Sequence, residues 1–103
     1  MNITVLIKDG NTARLNDGIR LALGLTIGHK VSLLITEKGA DSLMGVLTDS
    51  AFKKQFLESI GLIIAMSGVV KTEKAMGDAG PIETISKDAL TKILLDSDSI
   101  ILF

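Results

Sequence analysis

The sequence predicts a three-layer α/β/α sandwich on a mostly parallel sheet of about five strands, and three observations predict it. Residues 3–7, 31–35 and 62–66 are short apolar runs without strong alternation, the pattern of strands covered on both faces. Helix-like stretches separate these runs, as crossovers between parallel strands require. No Pro-, Gly- or Ser-rich stretch is long enough to serve as a linker, so the 103 residues are expected to form one domain, 1–103.

Ile3, Thr4, Val5, Leu6 and Ile7 make the first predicted strand. Lys8, Asp9, Gly10, Asn11 and Thr12 follow with turn chemistry, and Asn11 or Thr12 offers a side-chain acceptor to a free helix amide. Residues 13–27 fit two patterns. Leu15, Ile19, Ala22 and Leu23 form a helical stripe, while Ile19, Leu21, Leu23, Leu25 and Ile27 alternate as a strand would, and Gly18 and Gly24 weaken the helix. Helix is preferred because Gly28 can end it in the left-handed conformation, and because residues 31–35 then complete a βαβ unit. Apolar residues all round this helix would suit an oligomer interface.

After Thr36, residues 37–41 read as a loop and residues 42–47 as a short helix carrying Leu43, Met44, Val46 and Leu47. Asp49 or Ser50 caps a clearer helix in which Phe52, Phe56 and Ile60 recur every four residues, with Gly61 as its stop. Residues 62–66 are then the third strand. Residues 70–76 predict a brief helix ended by Gly77, and residues 82–85 a short fourth strand after Gly80-Pro81. Ser86 caps a helix with Ala89, Leu90, Ile93 and Leu94 on one side and Asp88 in its first turn, and residues 99–103 are the last strand.

Eleven basic residues face twelve acidic ones, and no basic cluster exceeds Lys53-Lys54. The electrostatic footprint for nucleic acid is therefore absent. So are stacking platforms, because there is no Trp or Tyr and Phe52, Phe56 and Phe103 read as core. The longest wholly apolar runs are five residues, far short of a bilayer span. The start has neither a basic stretch nor a small-residue cleavage site, so a cytoplasmic protein that spans no membrane is expected. A mean hydropathy of +0.45 is oily for a domain that buries only roughly two-thirds of its surface alone. Some apolar surface is expected to meet another subunit.

Ligands of open parallel sheets bind beyond the carboxyl ends of the strands. That rule nominates Lys8, Asp9, Gly10, Asn11 and Thr12 after the first predicted strand, Glu37 and Lys38 after the second, Met66, Ser67 and Gly68 after the third, and Ser86 after the fourth. With Lys71, these form one expected polar rim for a partner or a small anionic ligand. The Lys8–Thr12 loop lacks G-x-G-x-x-G and Walker spacing, and a capped surface loop is its plainer reading. Ser67 lacks the G-x-S-x-G elbow, and the only His, His29, is expected across the sheet from it, so no catalytic residue is assigned. Asp9, Glu37 and Glu73 lack any metal-loop spacing, and Met44, Met66 and Met76 read as packing residues. Neither a metal nor a cofactor is expected.

Three stretches resemble the DsrE/DsrF-like family: Ile27-Gly28-His29-Lys30-Val31, Gly61-Leu62-Ile63-Ile64-Ala65-Met66-Ser67, and the ending from Ile85-Ser86-Lys87-Asp88-Ala89-Leu90 through Asp98-Ser99-Ile100-Ile101-Leu102-Phe103. The resemblance implies homo-oligomers or hetero-oligomers with DsrE-like relatives that pass persulfide sulfur, with a reactive Cys about where Met66 stands. This chain has no Cys, and neither a thioether nor a hydroxyl replaces the thiolate that a persulfide needs. The role implied is a Cys-less, non-catalytic structural or accessory component of a sulfur-relay assembly. The alternative is a small-molecule or nucleotide/anion-binding protein that uses the crevice at the carboxyl ends of the strands.

Overall fold

The computed structural model describes residues 1–8, 12–48, 50–74 and 82–103. Its elements are β1 (Asn2–Ile7), α1 (Thr12–Leu25), β2 (Lys30–Ile35), α2 (Glu37–Thr48), α3 (Ser50–Ala65), β3 (Val69–Thr72), β4 (Glu83–Thr84), α4 (Lys87–Asp96) and β5 (Ser99–Leu102). All strand pairings are parallel, in the order β4-β3-β2-β1-β5.

That order dictates the layers. The chain steps outward from β1 to β4 in one direction and then returns to place β5 on the far side of β1. Right-handed crossovers put the helices of the outward steps on one face and the helix of the return step on the other. Packing agrees. Leu15, Ile19 and Ala22 of α1, Ala40 and Leu43 of α2, and Phe56, Ile60 and Ile63 of α3 share one core with Val5, Ile7, Val31, Leu33, Ile35 and Val70. Leu90 of α4 meets Leu6 and Leu34 on the opposite face, with Ile85 beside them. The molecule is a three-layer α/β/α sandwich, with three helices on one face and one on the other among the described residues.

The third strand lies elsewhere than predicted. Residues 62–65 continue α3, and β3 begins at Val69. Within the apolar run Ile63 is fully buried, whereas Leu62 and Met66 are 53% and 50% exposed. Phe56, Ile60 and Ile63 keep a helical spacing that carries the stripe past Gly61. Where residues 70–76 predicted a helix, residues 70–72 belong to β3, and Gly77 lies outside the described residues.

The helix predicted at 42–47 begins at Glu37. Gly39, which reads as a loop residue, has a packing reason to be in a helix. A Cβ there would stand 3.0 Å from Ile7 O and 2.9 Å from Ile35 Cγ2. α1 ends at Leu25, before Gly28, through a turn in which Thr26 Oγ1 donates to Leu23 O at 2.5 Å. Gly28 does not adopt a left-handed φ.

Candidate functional site

The sequence-predicted residues separate onto the two ends of the sheet. β1 carries Lys8 to the carboxyl end, where its amide donates to Phe103 O at 2.8 Å. Thr36, leaving β2, donates its amide to Ile7 O at 3.0 Å and its hydroxyl to Lys8 O at 3.3 Å. α1 and α2 both start at this end, because each follows a strand directly. Lys8, Arg14 of α1 and Lys38 of α2 then line a crevice of about 390 Å³ with Leu102 and Phe103.

This crevice lies over the join of β1 and β5, where the strand order reverses. Open α/β sheets bind ligands at such a switch point. Among the described residues its lining is three basic side chains and two apolar residues. Thr12 begins α1 nearby, and Asp9, Gly10 and Asn11 lie outside the described residues. Farther along the same end, Lys74 pairs with Asp41 of α2. The hydrogen bond from this ammonium to the Asp41 carboxylate holds Lys74 above its ordinary 10.5, and the carboxylate's charge adds to the effect.

Met66, Ser67 and Gly68 do not join that rim, because moving β3 to Val69–Thr72 puts them at the amino end. There they close α3. Ser67 donates its amide to Ile64 O at 3.0 Å and Gly68 donates to Ile63 O at 2.8 Å, the paired bonds of a Schellman cap. Ser67 is the one described non-glycine residue with a left-handed φ, 69°. It lines a groove of about 290 Å³ with Thr4, Ser32, Lys30, Asp96 and Ser97 among others.

His29 stands beside the first residue of β2, at the same amino end as Ser67. The expected separation across the sheet therefore does not hold. No hydrogen bond joins His29 to Ser67, so the pair still lacks the contact that nucleophilic catalysis needs. The position following the third strand, assigned to Met66 from sequence, is Glu73, whose amide donates to Ile35 O at 3.0 Å.

Lys71 occupies neither end. It lies within β3 opposite Glu83 of β4, and the two side chains form an ion pair. The Lys71 hydrogen bond and charge hold the Glu83 carboxyl below its ordinary 4.5. Among the described residues no three His, Cys, Asp or Glu side chains group to hold a metal. No helix of the described residues is long and apolar enough to cross a membrane.

Arg14, Leu102 and Phe103 are the crevice residues that sequence reasoning missed. The signal for Arg14 was its place in the first turn after the β1 loop, which sets it at the carboxyl end. Phe103 carried no local signal, since only the β1–β5 pairing brings it beside Lys8. No protein family, no curated protein and no solved structure matches the chain.

Proposed function

We propose that this chain is a non-catalytic docking component, a Cys-less DsrE-like accessory subunit of a sulfur-relay type of assembly. The observation that carries the docking reading is the thinly covered face of the sheet. Among the described residues α4 is the one helix that packs there, through Leu90, Ile93 and Leu94 on Leu6, Leu34 and Ile85, and Val69, Ile100 and Leu102 stay exposed. Apolar side chains left in water along a sheet are interaction surface in waiting. The sulfur-relay assignment draws on the sequence resemblance, whose central step loses its strand but whose missing thiol is unaffected: the third strand ends at Thr72, followed by Glu73.

Native mass spectrometry of the purified chain, mixed with a Cys-bearing DsrE-like protein encoded in the same genome, tests this. A mixed complex of fixed stoichiometry is expected, and it should persist when the partner's thiol is alkylated. No complex at tens of micromolar would sink the accessory role.

A second reading has its own observation, the crevice of Lys8, Arg14 and Lys38 at the strand-order reversal. Lys8 and Lys38 beside Leu102 and Phe103 fit a small organic anion, phosphate or carboxylate, with a flat or apolar body against Phe103. Titration with inorganic phosphate and nucleoside monophosphates, read by amide chemical shifts, should move the residues of the crevice. Lys8→Ala combined with Lys38→Ala should weaken such binding at least tenfold, about 1.4 kcal/mol; unchanged affinity removes the site.

A further inference from the structure

We infer that the chain forms a two-fold dimer by antiparallel pairing of β5 with β5 of a second copy, joining two five-stranded sheets into one. This names a partner for the docking reading above and rests on it. The backbone comes first. Phe103 donates its N–H to Leu6 O at 2.9 Å and accepts from Lys8 N at 2.8 Å, so residues of its parity face β1. Ile100 and Leu102 have the other parity. They aim N–H and C=O at the open side of β5, the outermost strand of the sheet.

The two edges of this sheet differ. On one side β4 is two residues long and carries Glu83, paired with Lys71, and a short charged edge resists further pairing. β5 is Ser-Ile-Ile-Leu, without charge or Pro, and its register to β1 runs unbroken over four residues. An edge left in this condition is a template for another strand.

Register follows from parity. With Ile101 on the two-fold axis, Ile100 stands opposite Leu102 of the second copy. The outward backbone groups then meet as hydrogen-bonded pairs. Ile100 and Leu102, 45% and 62% exposed in the single chain, become cross-strand neighbours on the side of the sheet that α4 covers thinly.

Charge sets the direction. Exposed Asp96 and Asp98 stand at the amino end of β5, and Lys8 and Lys38 line the crevice at its carboxyl end. Antiparallel pairing brings each copy's acidic end to the other's basic end. Lys8 lies one strand inward from β5, so the opposed charges sit about two strand spacings apart, ~10 Å, within one Debye length at about 0.1 M salt. Parallel pairing would set acid against acid.

Sedimentation velocity of the purified chain at tens of micromolar and low salt is expected to give twice the 10.9 kDa chain mass. Ile100→Lys puts a charge on the pairing strand, and Ile100→Pro removes an N–H that β1 does not use. Each should weaken association by at least tenfold while the far-UV circular dichroism spectrum stays as in the parent. In hydrogen exchange, the Ile100 and Leu102 amides should be protected at high concentration and lose protection on dilution. A parent chain that stays at monomer mass throughout overturns the pairing, as does a dimer that survives both variants with those amides unprotected. A chain that is monomeric alone yet enters the mixed complex overturns the pairing and leaves the docking function intact; a β5 dimer that refuses the Cys-bearing protein does the reverse.

Discussion

Gly68 donates its amide to Ile63 O at 2.8 Å, one residue after Ser67 has reversed the chain at φ 69°. The approach is so close that a Cβ on Gly68 would lie 2.6 Å from Ile63 Cγ2 and 2.8 Å from Ile63 O. The cap thus has its glycine where space is tight and a serine where the backbone is left-handed.

The two positions should respond to substitution in opposite directions. Ser67→Gly relieves a left-handed L-residue and should stabilise the fold by about 1 kcal/mol. Gly68→Ala pushes α3 off the start of β3 and should cost about 1–3 kcal/mol. Urea midpoints with unchanged slopes would measure both. A stabilising Gly68→Ala would show that the cap relaxes at no cost.

At the amino end, Ser97 Oγ donates to Ile93 O at 2.7 Å, so the hydrogen between Ser97 and Thr4 belongs to the Thr4 hydroxyl. Thr4 is buried in the sheet. Ser97→Ala strands that buried donor and should cost about 1–3 kcal/mol, more than Thr4→Val, which removes the donor itself. The double variant should fall short of the sum of the two. Equal single costs with strict additivity would refute the relay.

The Glu83 carboxyl, held down by Lys71, should titrate below its ordinary 4.5 when followed by NMR, and Lys71→Met should return it there. The sign is that of a depressed acid. Its contribution to stability is present above pH 4.5 and is lost as the pH falls through the folded-state value. Lys74, raised above 10.5 by Asp41, contributes in full below that pH and loses its part as the pH climbs through its own folded-state value. Both pairs are exposed, so the effects should be small and fade in high salt.

Much of the fold was legible because its signals are local. The β1 and β2 runs, the Ser86 cap and the final strand can be read within a few residues. Ser86 Oγ accepts from Ala89 N at 3.2 Å, as its place before Asp88 predicts. The third strand was not legible, because five apolar residues fit a strand or the last turns of a helix equally well. That choice depended on Phe56, Ile60 and Ile63 reaching a core built by β1, β2 and two other helices.

The candidate site was less legible for the same reason. Misplacing β3 by a few residues transferred Met66, Ser67 and Gly68 from one end of the sheet to the other, since a parallel strand's two ends face opposite sides of the molecule. Lys8 was found because it directly follows a strand. Arg14, Lys38 and Phe103 became its neighbours through β1–β5 pairing and the docking of two helices.

By itself the sequence determined the α/β sandwich class, the parallel sense of the sheet and the absence of a thiol. These rest on hydrophobic spacing, crossover handedness and composition, none of which needs distant contacts. Only the tertiary structure decided which end of the sheet Ser67 occupies, that three cations share one crevice, and that β5 is left as an uncharged open edge. Each depends on which segments far apart in the chain bury their apolar faces together, and no local pattern encodes that.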